Sequence, residues 1–525
     1  MFIGADHEVT GSCHYVEACD KRFIVDYGME QGLNVYENVE LPVNAGSLDF
    51  ILLTHAHIDH SGLIPLLYAK GFRGKIFATR ATTDLCEIML QDSAHIQEFE
   101  AEWKNRKARR SGKPEVVPIY TMDDAVNVMQ YFVPCPYGRQ IEVSDGITIR
   151  FTDIGHLLGS SSIEVWLRED DVEKKLVFSG DIGNFDQPLI KDPSYTKEAD
   201  YVIMESTYGD RYHGKHQDYV TELTNVIQRT FDRGGNVVIP SFAVGRTQEL
   251  LYYIRQIKAE DRVNHGDFKV VVDSPLAVEA TKIFNKNIDE TYDEEAMELV
   301  KEGINPITFS NLHLSITTEE SKAINFETEP MVIISASGMC EAGRIRHHLK
   351  HNLWRPENTI IFVGYQAYGT LGRSLIEGAK EVKLFGETIK VSADIVRLEG
   401  LSGHADKNGL LKWVNSFEKK PEEVFVVHGE DAVCEAFTSC LKDEYKFKAR
   451  APYSGDVYDL ISDEWIEWGS RERIQKKPKQ SSAYIRLLTA SERLKSVIEH
   501  NEGGTNKDLG KFADQIIALC DKWER

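Results

Sequence analysis

Between residues 55 and 60 the chain reads His-Ala-His-Ile-Asp-His, three histidines and an aspartate in six positions. Imidazole nitrogen beside carboxylate oxygen is a donor set for zinc or a similar divalent cation. Four such groups exceed what one open catalytic ion takes from a single segment, so the pattern points to two ions side by side. The cluster follows the apolar run Phe50-Ile51-Leu52-Leu53, read as a buried strand, and precedes Ser61-Gly62-Leu63-Ile64-Pro65-Leu66-Leu67, read as a helix start. On such a turn His55 and His57, two apart in extended chain, point to one side while Asp59 and His60 turn back from the loop.

The elements that must complete such a site end in the right residue types. Arg22-Phe23-Ile24-Val25 reads as a short strand delivering Asp26 before Tyr27-Gly28, where a carboxylate can orient a ligand histidine or a water from behind. Ile147-Thr148-Ile149-Arg150-Phe151-Thr152 alternates as a strand and leads to His156 on a glycine-flanked loop. Lys175-Leu176-Val177-Phe178 leads to Asp181, placed between Gly180 and Gly183 where a bridging carboxylate would sit. Alone, either residue reads as structural; beside the histidine cluster both read as ligands.

A chain of 525 residues has the length for two or three domains and an ample core. No apolar run reaches a membrane span, and Met1-Phe2-Ile3-Gly4-Ala5-Asp6 lacks the basic start and apolar core of a signal peptide. Eight scattered cysteines without a CxxC pair argue for reduced thiols, and the expected location is cytoplasmic. A net charge of −22 repels polyanions at long range, so a nucleic acid would need a locally basic groove. Lys104, Arg106, Lys107, Arg109, Arg110 and Lys113 lie together without an acid, as a phosphate-facing strip or as a solvated helix end.

From Tyr201 the pattern shifts. Val202-Ile203-Met204 ends in Glu205, and strands then alternate with helices: 236–240, a helix from Arg246, 270–273, 331–334 and 359–363. This predicts an inserted α/β domain with a parallel sheet, whose strand-end loops are where ligands bind. Ser335-Ala336-Ser337-Gly338-Met339 opens toward Arg344, and Gly364 to Arg373 opens a helix, so backbone N–H groups and an arginine there can hold a phosphate. His347, His348 and His351 read as surface or packing residues. Short strands return after residue 375 and lead to Ser402-Gly403-His404-Ala405-Asp406 and to Val427-His428-Gly429-Glu430.

The series Asp26, His55-x-His57-x-Asp59-His60, His156 and Asp181 resembles the motifs of the metallo-β-lactamase fold. Glu205, Ser402 to Asp406, Val427 to Glu430 and Ser241-Phe242-Ala243-Val244-Gly245-Arg246-Thr247-Gln248-Glu249-Leu250 resemble its β-CASP branch, the nucleic-acid-processing members, and carry the likeness to about residue 460. The nearest motifs are those of RNA-cleaving proteins related to the nuclease subunit of the cleavage and polyadenylation specificity factor, with ribonuclease J a more distant cousin. The histidine at 428 resembles the RNA-acting members, so the likeness implies RNA as the substrate class.

The resemblance implies a four-layer αβ/βα sandwich of the α/β class, with residues 1–208 and 375–460 forming the metallo-β-lactamase domain around a β-CASP insertion at 209–374. It implies two divalent ions, zinc or else manganese: one held by His55, His57 and His156, the other by Asp59, His60 and His428, with Asp181 bridging. His404 is then the general acid, with Glu205 orienting it, while Asp26 and Asp59 support the reaction. Ser337, Gly338, Met339, Arg246 and Arg373 are the expected RNA phosphate contacts. The implied activity is RNA hydrolysis, endonucleolytic or 5′-to-3′ exonucleolytic, leaving 5′ phosphate and 3′ hydroxyl. Alternatives are an ester or thioester hydrolase of the same fold and a non-catalytic RNA-binding subunit. A homodimer is also implied. Residues 461–525 fall outside the likeness and read as a basic linker, Arg471 to Gln480, followed by two helices marked by Tyr484, Leu487, Leu488, Leu494, Val497 and Ile498 and by Leu509, Phe512, Ile516, Ile517 and Leu519. The pair is either a helical hairpin for docking or dimerisation or a mobile tail.

Overall fold

The computed structural model describes the chain except for residues 33, 112–114, 215–217, 368, 399, 401, 475–490, 492–493, 495–496, 499–500 and 524–525. Among the described residues no helix is long and apolar enough to cross a membrane.

Alternation along the strands dictates the layers, because successive side chains leave a strand on opposite faces. The first sheet has six strands in chain order: Phe2–Gly4, Cys13–Ala18, Lys21–Val25, Phe50–Leu52, Lys75–Thr79 and Phe132–Cys135. Ile24, Ile51, Ile76 and Ala78 pack with Ile64, Leu67, Leu85 and Leu90 of the covering helices. Phe23, Val25, Phe50, Leu52 and Phe77 face the other way, onto a second sheet.

That sheet has seven strands in the order Ala449–Arg450, Glu423–Val427, Tyr201–Glu205, Val172–Phe178, Ser161–Glu169, Ile147–Asp153 and Ile141–Ser144. Its Tyr201, Ile203, Phe425 and Val427 join the intersheet core, while Val202, Met204, Val424 and Val426 pack beneath Leu410, Trp413, Val414, Phe437 and Leu441. Burying each large apolar side chain contributes about 1.5–3 kcal/mol, so a register slip of one residue, which would turn each such set to the wrong face, is strongly disfavoured. The result is the four-layer αβ/βα sandwich expected from the sequence.

The insertion carries a third, all-parallel sheet in the order Leu312–Ser315, Lys269–Asp273, Met331–Ser335, Val237–Pro240, Thr359–Phe362 and Asp394–Arg397. The last strand departs from the expected boundary at 374/375. Residues 394–397 pair with 359–362 and not with the sandwich, and the hairpin Glu381–Leu384/Glu387–Lys390 packs Val382 and Leu384 with Leu349 and Leu375 of the insertion. The chain therefore rejoins the sandwich only near residue 402. An edge strand added in parallel reads locally like any short alternating strand, so its sheet was not legible.

The boundary at 460/461 also moves. Glu464–Glu467 pairs with Val457–Asp459, and the Arg471 guanidinium grips the buried Asp456, so the compact unit runs from Met1 to Glu472. The second unit, 473–525, contains the helix Asn506–Trp523; Tyr484, Leu487 and Leu488, and linker residues 475–480, lie outside the described residues.

Candidate metal centre

Asp26, the seven expected ligands and Glu205 lie at or just beyond the ends of strands of the two facing sheets. The turn after Phe50–Leu52 carries His55 and His57 in extended chain, and a single helical turn, Ile58–Ser61, swings Asp59 and His60 back. The crossing chain passes so close that a Cβ on Gly28 would lie 1.6 Å from the Asp59 carbonyl oxygen, and one on Gly183 would lie 1.9 Å from that of Gly155. Only glycine permits both approaches.

The seven expected ligands converge. Asp181 Oδ2 is 3.4 Å from both His55 Nε2 and His156 Nε2, and Oδ1 is 3.2 Å from His60 Nε2 and 3.6 Å from His428 Nε2. His57 Nδ1 lies 3.1 Å from His55 Nε2 and 3.3 Å from His156 Nε2. His60 Nε2 lies 3.1 Å from His428 Nε2, whose other close carboxylate is Asp59 at 3.6 Å.

Partners on the far side of the rings set which nitrogen turns inward. His60 Nδ1–H donates to Asp26 Oδ2 at 2.7 Å, and Asp26 also accepts from the Thr54 amide and hydroxyl. With its proton on Asp26, the Thr54 hydroxyl accepts from His55 Nδ1 at 3.1 Å. His156 Nδ1–H donates to the Gly403 carbonyl at 3.1 Å. Thr207 Oγ1 donates to the His428 carbonyl and so accepts from His428 Nδ1 at 3.2 Å. Four Nε2 lone pairs therefore face one another around Asp181, whose buried Oδ1 has no hydrogen-bond partner among the described residues. Lone pairs packed at 3.1–3.3 Å repel, and a cation between them removes the conflict. The donor set divides into His55, His57, His156 and Asp181, and Asp59, His60 and His428, and so fits two divalent ions.

Burial and neighbouring imidazoles push His57 down to about 3 and His156 well below its ordinary value, as neutral ligands require. Burial opposes ionisation of Asp181, but His428, His60 and His55 outweigh it and keep the carboxyl well below the usual range; Asp181 in turn raises His60 and His428 against burial, a charge balance that protons supply and divalent ions would replace.

His404 stands at the open edge. Its side chain is 22% exposed, against 3% or less for His55, His60, His156, Asp181 and His428. Nδ1 faces Glu205 at 3.2 and 3.3 Å, which leaves Nε2 toward the centre, 3.9 Å from Asp181 Oδ2. Burial disfavours its charge, yet Glu205 and Asp181 raise it to about 9, so the ring is protonated at neutral pH. Glu205 is itself held by the amides of Ile182 at 2.5 Å and Thr207 at 3.2 Å.

The two loops of the insertion also meet: Gln366 donates to the Gly338 carbonyl, and the Gly372 amide to that of Met339. Gly338 abuts Phe242, and Gly245, just before Arg246, lies against Leu157, the neighbour of His156. Ser337, Gly338, Met339, Arg246 and Arg373 thus follow the carboxyl ends of three adjacent parallel strands, with Arg246 paired to Glu249 and Arg373 to Glu377. Arg344 differs from expectation: its guanidinium is committed to Asp273 Oδ1 at 2.7 Å and the Ile316 carbonyl at 2.6 Å. His348 is buried against Asp273 and His347 stacks on Phe385, as packing residues do. The basic strip on helix Arg80–Ser111 is largely offset, because Lys104, Arg106 and Arg109 pair with Glu100, Glu102 and Glu115. Lys113 and the side chains of Lys107 and Arg110 lie outside the described residues. Sequence reasoning missed Thr54, Thr207 and the Gly403 carbonyl, which act through contacts and leave no spacing signal.

Residues 16–184 match a family model described as the metallo-beta-lactamase superfamily domain, 247–375 the Beta-Casp domain, and 388–452 a Zn-dependent metallo-hydrolase RNA specificity domain. Fold and site together define a metallohydrolase of the metallo-β-lactamase superfamily. Ribonuclease TTHA0252 of Thermus thermophilus is 35% identical over 433 residues, which cover 82% of this chain and 92% of that protein. Transcription termination factor FttA of Methanocaldococcus jannaschii is 32% identical over 470 residues, 87% of this chain and 70% of the relative. The chain belongs to the β-CASP family with these proteins. A crystal structure of a protein of unknown function from Enterococcus faecalis shares the fold, with a TM-score of 0.50 at 13% identity over 86% of this chain and 97% of that one.

Proposed function

We propose that the protein is a ribonuclease that hydrolyses phosphodiester bonds with two divalent ions, His55, His57 and His156 holding one, Asp59, His60 and His428 the other, and Asp181 both. Bound there, such ions make water nucleophilic at neutral pH and offset charge on the attacked phosphate. The chain's own residues do the rest. Asp26 fixes His60 and, through Thr54, His55, so the inward nitrogens are aligned before substrate arrives. Glu205 holds His404 protonated with Nε2–H toward the open edge, placed to give its proton to the departing 3′ oxygen. Products with 5′ phosphate and 3′ hydroxyl follow from that direction of cleavage. The loops at 337–339, with Arg246 and Arg373, are the proposed phosphate contacts on the cleft wall.

The observation that carries the reading is the position of His404: an imidazole oriented by Glu205, its Nε2 3.9 Å from the carboxylate shared by the ligand histidines. Relatives named as a ribonuclease and as transcription termination factors support RNA as substrate. The imidazole-rich donor set favours zinc over calcium or magnesium. A cytoplasmic location and a homodimer belong to the same reading; exposed Ile517, Leu519 and Trp523 on the last helix support the dimer. The test is incubation of one RNA bearing a 5′ triphosphate, monophosphate or hydroxyl with protein loaded with zinc or manganese, resolved at nucleotide level. Cleavage leaving 5′-phosphate ends is expected, and end-dependence separates exonucleolytic from internal cutting. Metal-loaded protein that leaves all three RNAs intact would end the proposal.

A further inference from the structure

The loop bearing His404 is held on two flanks. On the inner flank, toward Asp181, the Ala405 amide donates to the Ile182 carbonyl at 2.7 Å and the Asn184 amide to that of Gly403 at 3.0 Å. The outer flank is different in kind. There the chain has just left the sandwich after Glu205, and residues 208–213 lie across the segment by which it returns.

Four contacts tie exit to return. His213 Nε2 lies 2.9 Å from the His404 carbonyl oxygen and donates to it. The His213 amide donates to Asp406 Oδ2 at 3.0 Å, while Asp406 Oδ1 caps helix Lys407–Val414 through the Gly409 amide. The Lys407 amide donates to the Arg211 carbonyl at 3.0 Å. The Tyr208 ring stands edge-on between the His213 ring at 5.0 Å and the His404 ring at 6.0 Å.

From this geometry we propose that His213 is a positioning residue for the acid: by gripping the His404 backbone it keeps the imidazole in register with Glu205 and with the departing oxygen. The bond ends on the carbonyl of the same residue whose ring transfers the proton, so losing it frees His404 to tilt while the ligand histidines, anchored by Asp26, Thr54, Gly403 and Thr207, keep their places. The effect is confined to the step that needs a proton on the leaving group.

The proposal rests on the hydrolase reading of this centre, and the experiment keeps the two apart. Wild type, His213→Ala and His213→Gln, all full-length and metal-loaded, are compared on RNA and on two aryl phosphodiesters, diphenyl phosphate and bis(p-nitrophenyl) phosphate. The nitrophenolate departs without protonation, whereas phenolate and a ribose oxygen gain from it. For His213→Ala we expect a fall in kcat of about 10–100-fold on RNA and on diphenyl phosphate, the size of effect a displaced reacting group produces. The change on bis(p-nitrophenyl) phosphate should be under about 3-fold, with KM and metal content unaltered. Glutamine, whose amide nitrogen replaces Nε2, should recover most of the loss.

Equal losses on both aryl substrates, loss of metal, or wild-type rates overturn the positioning role. Failure of wild type to cut RNA while it cuts both aryl diesters sinks the nuclease reading and leaves the leaving-group comparison to decide on His213. If His213→Ala does not fold, Asp406→Asn removes the acceptor for the His213 amide and retains an oxygen for the helix cap. It should show the same leaving-group dependence at smaller size, and its absence overturns the proposal.

Discussion

In the sandwich, Asp181 is ringed by imidazoles whose bare nitrogens face one another; in the insertion, Asp273 is ringed by donors. Asp273 Oδ1 accepts from Arg344 at 2.7 Å and Ser315 at 2.8 Å, and Oδ2 accepts from His348 and Ser321, both at 2.6 Å. Both carboxylates are buried, and both have histidines against them. One carboxylate is fully satisfied by hydrogen-bond donors of the protein and ties two strands and two helices of the insertion together. The other is complete only when cations enter. A buried histidine–carboxylate contact therefore says little about function until the inward-facing atoms are sorted into donors and lone pairs.

The largest way to break this comparison is to remove each carboxylate in turn. Asp181→Ala should abolish cleavage and the binding of both ions, read by elemental analysis after dialysis. Two ions still bound would contradict the shared role of Asp181. Next, His404→Ala should keep both ions and lose about 10²–10⁴-fold in kcat, the range for a positioned acid. Wild-type rates would take the acid role away from His404. Asp273→Ala should leave metal content unchanged and cost on the order of 3 kcal/mol in stability, because Arg344 and His348 lose their counter-charge. Measured by denaturant unfolding of the metal-loaded protein, a loss of metal without a loss of stability would merge the two clusters into one class.

The sequence carried the sandwich cluster far better than the insertion's. His55, His57, Asp59 and His60 announce themselves by density, and His156, Asp181, His404 and His428 by standing beside glycine at strand ends. Asp273 follows Val270-Val271-Val272 in the same way, yet its partners at 315, 321, 344 and 348 come from one strand and two helices far along the chain. Complementarity of that kind depends on sheet order, and sheet order depends on which edge each parallel strand joins. The same limit hid which sheet the strand Asp394–Arg397 joins and let Arg344 pass for a phosphate ligand. Glycine-rich strand ends are local features; the carbonyls and hydroxyls behind each ligand ring are products of the finished fold.

The smallest expected effect is the pH dependence of the insertion's cluster. Burial opposes ionisation of Asp273, but His348, Ser321 and Arg344 outweigh it and bring the carboxyl from 3.8 down to about 2. A carboxyl with a lowered folded value stabilises the native state fully above its unfolded value and loses that contribution as pH falls through the folded value. The stability tied to Asp273 is thus intact at pH 5, declines below about 4, is mostly lost by about 2 and is gone about a unit lower, a total of about 2 kcal/mol. Asp273→Asn has no carboxyl to protonate, so the difference in unfolding free energy between wild type and variant should shrink across that window. A difference that stays constant from pH 5 to pH 2.5 would show that the donors around Asp273 hold the strands by packing and not by charge, and the contrast with Asp181 would then rest on geometry alone.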